Sequence, residues 1–436
     1  MQGPASHGII VNRYGTIWFT MPRVVITGIG AVTPLGTTFG DSWQSACAGM
    51  SGIRAISRVQ TPGMRWTVSG EVRGFDPLRY LSAREIRRVD LFARYAVASA
   101  VMAAADAGLI AAESMPQPGE DYLSAGSVII GSSRGGIGTI EEAILKSAHA
   151  PHARTSSYLM PATTVSMAAS FTAQKLGIKG HCLGVSNACT SGTNAVGEAY
   201  RILRSGYSGP VFAGGADAPV CRICIEGYGS AGALSRVPDQ FASRPFDRRR
   251  DGFVLSEGAC VLVVERLEEA LKRRAHVYAE IIGYGSTTDA FHQTHPHPDG
   301  EARAIRAALE MAGVSKGEID FISAHGTSTP LGDLSESRAI CRVFGGQTDR
   351  IPVSAMKSMT GHMLAASGAF ETASTAMAID QGIIFPTINL SAQDKEIPLK
   401  IATKATRANL RNAIINSFGF GGVNAVLVLR RPGADG

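Results

Sequence analysis

Cys189 stands in the run GVSNACTSGTNAVGEA, where a strand-like stretch meets a helix opened by Thr190, Ser191 and Gly192. A thiol at such a corner faces free backbone N–H groups and the positive end of a helix dipole, and both favour thiolate. The small neighbours Ala188, Ser191 and Gly192 leave room for a substrate to approach closely. Most unpaired cysteines are buried small apolar residues, so it is the corner, with SG after it, that makes Cys189 a candidate nucleophile. Two histidines have comparable settings. His325, in FISAHGTSTPLGD, follows the strand-like Ile319–Ser323 and enters a polar turn; His362, in VSAMKSMTGHMLAASGA, follows Gly361 and precedes a helix. Neutral imidazoles there would donate hydrogen bonds to negative charge developing beside Cys189. Either histidine alone would read as a satisfied core residue. Lys357, upstream of His362, either tunes the imidazole electrostatically or pairs with Glu371, and the brace is the favoured reading. Asp333 and Glu336, after the His325 turn, likewise read as structural supports.

Other chemistry-bearing residues do not assemble into a site. Cys221 and Cys224 form a C-x-x-C, but no second pair or histidine pair at zinc spacing completes it. Cys47, Cys182, Cys260 and Cys341 lie in apolar or helical surroundings. His292, His295 and His297 sit in FHQTHPHPDG, whose prolines and irregular spacing indicate a surface loop near an entrance rather than a metal site. VITGIG at Val25–Gly30 resembles a dinucleotide fingerprint, but Thr33 replaces its last glycine and no acidic residue follows at the right distance. GSSRGGIG at Gly131–Gly138 lacks the G-K-[ST] ending of a phosphate loop. No nucleotide cofactor and no metal are expected. SFGFGGVNA sets Phe418 and Phe420 among glycines, a mobile turn suited to closing over an apolar ligand.

The elements that must position these residues repeat. RVVITGIG from Arg23 and VYAEIIGYG from Val277 share one character, as do DGFVLSEGACVLVVER from Asp251 and SFGFGGVNAVLVLRR from Ser417. Between them lie two polar corners, SNACTSGT around Cys189 and SAHGTSTP around His325. Matched features in one order imply an internal duplication, with halves at 21–272 and 273–436. Helical spacing predicts helices over Phe92–Ala105, Gly192–Arg204, Glu301–Ala312 and Gly368–Ile379, and Val211–Gly214 reads as a buried strand. Alternating strands and helices imply an α/β fold with mainly parallel sheets covered on both faces.

Composition limits the remaining classes. The 436 residues are 45% hydrophobic and 18% charged, with 50 glycines, which fits a deeply buried body with many tight turns. Seven scattered cysteines fit a reducing cytosol, and hence a cytoplasmic location, better than a disulfide framework. No apolar run is long enough for a membrane span. Residues 1–20 have no signal-peptide core and read as a leader or flexible arm before a start at Met21. The net charge of +6 lies in short clusters without interleaved aromatics, so an acidic protein partner is favoured over nucleic acid.

NACTSG, AHGTSTPLGD, KSMTGH and NSFGFGG, in this order, resemble the β-ketoacyl-[acyl-carrier-protein] synthases, most closely the type II enzymes of bacterial fatty acid synthesis. The resemblance runs from Arg23 to about Arg431. It implies a thiolase-like fold, two duplicated βα halves in an α-β-α-β-α sandwich, usually as a homodimer. It implies that acyl carrier protein delivers an acyl group to Cys189, and that malonyl-carrier protein then loses carbon dioxide beside His325 and His362. The carbanion would attack the acyl-cysteine, with the backbone N–H groups of Cys189 and Phe420 as oxyanion hole. Thr327 and Thr329 would bind the phosphopantetheine arm, Phe420 would gate acyl entry, and no cofactor is needed beyond what the substrates carry. The basic clusters Arg84, Arg87, Arg88 and Arg248, Arg249, Arg250 would steer an acidic carrier protein.

One position departs from the family. Arg134 stands where the type II enzymes usually carry an apolar residue lining the acyl tunnel, and a guanidinium in a hydrocarbon channel is costly unless paired. The expectation is a shortened or polarised pocket for short, polar or unusual acyl groups in specialised lipid or polyketide synthesis. Two other readings share the fold. A thiolase would need a second reactive cysteine near the C-terminus, and none follows Cys341. A non-catalytic chain-length partner subunit usually lacks the nucleophile that Cys189 supplies.

Overall fold

The computed structural model describes residues 9–11, 17–19, 21–59, 62–111, 121–150, 152 and 154–434. Within the leader, Ile9–Val11 and Ile17–Phe19 pair as antiparallel strands; the rest of it lies outside the described residues. No helix among the described residues is long and apolar enough to cross a membrane.

The main sheet has eleven strands. They are β1 Val24–Val32, β2 Ser127–Gly131, β3 Cys182–Val185, β4 Val211–Asp217, β5 Gly258–Arg266 and β6 Ala279–Thr288. After these come β7 Phe321–Ser323, β8 Pro352–Ser354, β9 Lys400–Ile401, β10 Asn412–Gly419 and β11 Val423–Arg430. The lateral order is β9-β8-β7-β10-β11-β6-β1-β5-β4-β2-β3. Outward from the β6–β1 junction, the two sides repeat one pattern. β1 pairs antiparallel with β5 and β5 with β4, then β4-β2-β3 run parallel. β6, β11, β10, β7 and β8 do the same. The sheet is therefore mixed, not mainly parallel. Of its antiparallel pairs, β10 and β11 are joined by a tight turn, and a short turn can connect only antiparallel neighbours.

The strand repeat corrects the correspondence read from the sequence. β3, which leads to Cys189, matches β8, which leads to His362. β2 matches β7, which leads to His325. The counterpart of the Cys189 corner is thus the His362 corner, and the counterpart of the His325 turn is the GSSRGG turn after β2.

Helices complete the layers: α1 Leu91–Asp106, α2 Ile137–His149, α3 Met167–Leu176, α4 Ser191–Arg204, α5 Arg222–Ser230, α6 Pro298–Ala312, α7 Pro330–Phe344 and α8 Ala365–Gln381. α1 and α3 cover the outer face of the first half, and α6 and α7 that of the second. α4 and α8 pack against each other between the halves, burying Ala195, Val196, Ala369, Phe370 and Ala373 in the central core. The result is the α-β-α-β-α sandwich.

The glycines of VITGIG have a structural purpose. A Cβ on Gly28 would lie 2.3 Å from the Ala103 carbonyl oxygen of α1, and one on Gly30 2.0 Å from that of Ser99. The second half uses the same device: a Cβ on Gly283 or Gly285 of β6 would come within 2.3 or 2.1 Å of the Ala308 or Ala304 carbonyl oxygen of α6. The glycines let an alanine-rich helix lie directly on a strand. Because the obstacle at Gly30 is backbone, Gly30→Ala is expected to cost about 3 kcal/mol, read as a lower urea midpoint at unchanged slope.

Candidate active site

The chain turns sharply before Cys189. Ala188 has φ +49°, a conformation costly for a residue with a Cβ. It is held by Ser133 Oγ and Ser191 Oγ, which both donate to the Ala188 carbonyl, at 2.6 and 2.7 Å. A short 3₁₀ turn, Ala188–Thr190, then runs into α4. Close approach is again secured by glycine: a Cβ on Gly192 would lie 2.2 Å from the Ala365 carbonyl oxygen at the start of α8. The tips of the two central helices therefore meet. Asp217, at the end of β4, fastens this seam. Its buried carboxylate accepts from Ser132 Oγ and the backbone N–H groups of Ser133, Arg134 and Ala365.

Cys189, His325 and His362 line one cavity of about 280 Å³, with Tyr228, Phe253, Thr327, Thr329, Phe418 and Phe420 among its other walls. The imidazole centroids are 5.4 Å apart and nearly perpendicular. His325 is fixed from behind. Lys357 Nζ donates to its Nδ1 at 3.1 Å, to its carbonyl oxygen at 2.7 Å and to Glu371 Oε1 at 2.6 Å. With Nδ1 accepting from an ammonium, the ring proton sits on Nε2. At His362, Ser367 Oγ lies 3.2 Å from Nδ1 and already accepts the Met363 N–H. The hydroxyl proton is thus available to Nδ1, and Nε2 again carries the hydrogen. His362 Nε2 is buried and has no hydrogen-bond partner among the described residues.

Burial, and then the Lys357 charge, holds both imidazoles well below the ordinary value of 6.5; at His325 the second ring adds to this. Both rings are neutral donors at neutral pH. A heteronuclear titration is expected to find them unprotonated at pH 6. The folded rings refuse protons that the unfolded chain accepts, so stability present above pH 6.5 is expected to fall as pH drops below it.

Lys357 both braces Glu371 and acts on an imidazole. Its ammonium and the Glu371 carboxylate are each 1% exposed; such a pair is worth little net but is destructive to break. Burial pushes the Glu371 carboxyl up to about 7, opposed by the Lys357 ammonium. Glu336 accepts the N–H groups of His325 and Gly326, both at 2.8 Å, and Asn416 Nδ2 at 3.0 Å. Asp333 accepts those of Phe246 and Ser328, and burial pushes it up to about 7. These carboxyls shape the turn that presents His325.

Cys189 departs from the sequence expectation. Burial pushes its thiol up to about 11; the Phe420 backbone N–H, which points at the sulfur, and the Lys357 charge only partly offset this. Enclosure in the pocket thus favours the thiol form of Cys189 over the thiolate that the helix tip favours. The Phe420 amide is held against the sulfur.

Other expected positions resolve as follows. Thr327 and Thr329 share a hydrogen bond of 2.9 Å on the cavity wall. Phe418 is buried with its ring 6.1 Å from His325, and Phe420 is half-buried. Thr294 and His295 line the cavity mouth, whereas His297 caps α6. Arg84 and Arg87 are exposed, and Arg88 stacks over Tyr158. Arg250 is not a surface residue. It is buried, donating to the Thr329 and Pro330 carbonyls and to Asp394, so it braces the turn after His325. Arg134 is not among the cavity-lining residues; it lies behind Tyr228, exposed, with Nε donating to the Tyr228 hydroxyl at 2.8 Å. Tyr228 and Asp217 were missed in the sequence; the only local signal for Tyr228 is an aromatic residue between glycines in IEGYGSAG.

Comparison with known proteins places the chain in a family. Residues 21–270 match the β-ketoacyl synthase N-terminal domain, and residues 278–391 its C-terminal domain. The chain belongs to the β-ketoacyl synthase family. It is 40% identical over 414 residues to a 3-oxoacyl-[acyl-carrier-protein] synthase 2 of Synechocystis, covering 94% of this chain and 98% of that one. A synthase of the same name from Staphylococcus aureus is 40% identical over 413 residues, with the same coverage. Among solved β-ketoacyl synthase structures, the ishigamide ketosynthase/chain length factor superposes with a TM-score of 0.88 at 36% identity, covering 95% of this chain and all of that one. A β-ketoacyl synthase from Burkholderia phymatum gives 0.86 at 32% identity, covering 94% and 100%. A chain of the complex of a type II polyketide acyl-carrier protein with its ketosynthase gives 0.84 at 31%, with the same coverage.

Proposed function

We propose that this chain catalyses decarboxylative Claisen condensation, joining an acyl group held on Cys189 to malonyl-acyl-carrier protein to give the 3-oxoacyl product. The observation that carries this reading is one thiol and two neutral imidazoles, from both halves of the chain, lining one cavity. Cys189 attacks the incoming thioester carbonyl and takes the acyl group; the departing pantetheine thiol carries away the proton. The Nε2–H groups of His325 and His362 then hydrogen-bond the malonyl thioester oxygen as carbon dioxide leaves, stabilising the enolate. Its carbanion attacks the acyl-cysteine carbonyl, whose oxygen takes the N–H groups of Cys189 and Phe420. Collapse breaks the bond from carbon to Cys189 Sγ, leaving the 3-oxoacyl product on the carrier arm, and the expelled thiolate takes a proton from water to restore the thiol. Thr327 and Thr329 bind that arm, and the Phe420 ring gates the acyl cavity. The loss of carbon dioxide drives the reaction, so the only cofactor chemistry is the phosphopantetheine that the substrates bring.

Acyl carrier protein is the partner that this chemistry requires, with Arg84, Arg87 and Arg88 as its docking face. Arg84→Glu with Arg87→Glu is expected to raise KM for malonyl-carrier protein about tenfold while leaving KM for malonyl-pantetheine unchanged. A homodimer is supported by the edge of β3, which among the described residues pairs only with β2 and exposes Leu183, and by the further exposed apolar residues Ile144, Leu145 and Met160 in the same half. A cytoplasmic setting accords with cysteines that are all unpaired. The alternative of a chain-length partner subunit without its own chemistry is separated by one test. Intact-mass labelling with a cerulenin-type thiol-reactive inhibitor should give one adduct, at Cys189. An unlabelled Cys189 in folded protein would favour the partner-subunit reading.

A further inference from the structure

The wall of the cavity nearest Arg134 carries a polar pair. Tyr228 Oη accepts from Arg134 Nε at 2.8 Å, and the guanidinium lies over the Tyr228 ring, 5.1 Å from its centroid. The ring is held on two more sides, edge-on by Phe253 at 5.5 Å and tilted against Phe420 at 6.4 Å. Tyr228 lines the same cavity as Cys189, and the sulfur is close enough to feel both the phenol and the guanidinium. The phenol accepts from Arg134 and makes no other hydrogen bond among the described residues, so its own proton remains available. Both terminal guanidinium nitrogens also lack a partner there.

A cavity lined by a phenol with a free proton treats acyl groups unequally. A saturated chain laid against Tyr228 strips water from the hydroxyl and returns no hydrogen bond. A chain with an oxo or hydroxyl oxygen supplies the acceptor. A site built to hydrogen-bond a substrate oxygen discriminates against the analogue lacking it far more sharply than an apolar pocket discriminates by size. We propose that Tyr228, oriented by Arg134, is the specificity-determining residue of the acyl cavity, and that it selects acyl groups bearing an oxo or hydroxyl oxygen over saturated chains of equal length. The inference rests on Cys189 as acyl acceptor and deepens that reading by naming the substrate class. Arg134 is a positioning residue, acting through Tyr228 and not by entering the cavity.

The test is acylation of Cys189 by pantetheine thioesters of octanoate and of its oxo and hydroxy derivatives substituted at successive carbons. It is followed by intact mass on the full-length wild type and on Tyr228→Phe, Arg134→Leu and Arg134→Lys. The wild type is expected to favour at least one oxygenated chain about tenfold or more over octanoyl. Tyr228→Phe, which keeps the ring, should bring that ratio close to one. Arg134→Leu should reduce it, and Arg134→Lys should retain part of it. A general loss of fold or activity would slow all thioesters together and leave the ratio where it was, so the ratio separates specificity from structure. Equal acylation by octanoyl and every oxygenated chain in the wild type, or an unchanged ratio in Tyr228→Phe, would overturn the inference while leaving Cys189 as acceptor intact. Failure of every thioester to acylate the wild type would overturn both readings.

Discussion

Cys189→Ala is expected to lower chain elongation by about 10⁴-fold or more, because the acyl group then has no residue to ride on and the two half-reactions lose their link. Malonyl decarboxylation should survive, since the donors that stabilise the enolate lie on His325 and His362 and are untouched. Single-turnover assays with labelled malonyl-carrier protein measure both: carbon dioxide release continues and 3-oxoacyl product disappears. Loss of both activities in a folded variant would count against the division of labour. The substitution is mild structurally, since alanine keeps the Cβ and the turn at Ala188 is held by Ser133 and Ser191 rather than by the sulfur.

His325→Ala and His362→Ala are expected to do the reverse. Removing one preorganised donor from a site of this kind typically costs about 10²–10³ in rate. Each variant should lose about that much decarboxylation while still taking an acyl group onto Cys189, read by intact mass. Of the two, His325→Ala should carry the greater structural cost. It leaves Lys357 Nζ, buried and 2.6 Å from Glu371, without one of its three acceptors, whereas removing His362 frees only Ser367 Oγ. A thermal melt of each variant separates the two effects. Retained decarboxylation in both would refute the role of the imidazoles.

Much of the site was legible because its residues announce themselves locally. Cys189 is framed by small residues at a strand–helix corner, and His325 and His362 sit in glycine-containing turns, so type and spacing together narrow their chemistry. What was not legible depended on which strand lies beside which. The alignment of the Cys189 corner with the His325 corner followed sequence appearance, whereas strand order pairs Cys189 with His362. The setting of Cys189 is a related case: the helix tip is visible in sequence, but enclosure of the sulfur by residues from distant segments is not. Arg250 looked like part of a surface cluster until its partners Thr329, Pro330 and Asp394 were seen, all far away in the chain. Arg134 could be recognised as out of place, but its partner Tyr228 lies 94 positions on, beyond the reach of any local pattern.

The meeting of α4 and α8 carries a consequence for how such a centre arises. Cys189 and His362 stand at matching places in the repeated strand pattern, each just ahead of the helix that its half contributes to the middle layer. On the proposed chemistry one half furnishes an electron-pair donor and the other a polariser, from equivalent positions in the sheet. The cavity takes its walls from both halves, so the proposed chemistry belongs to the join and not to either half.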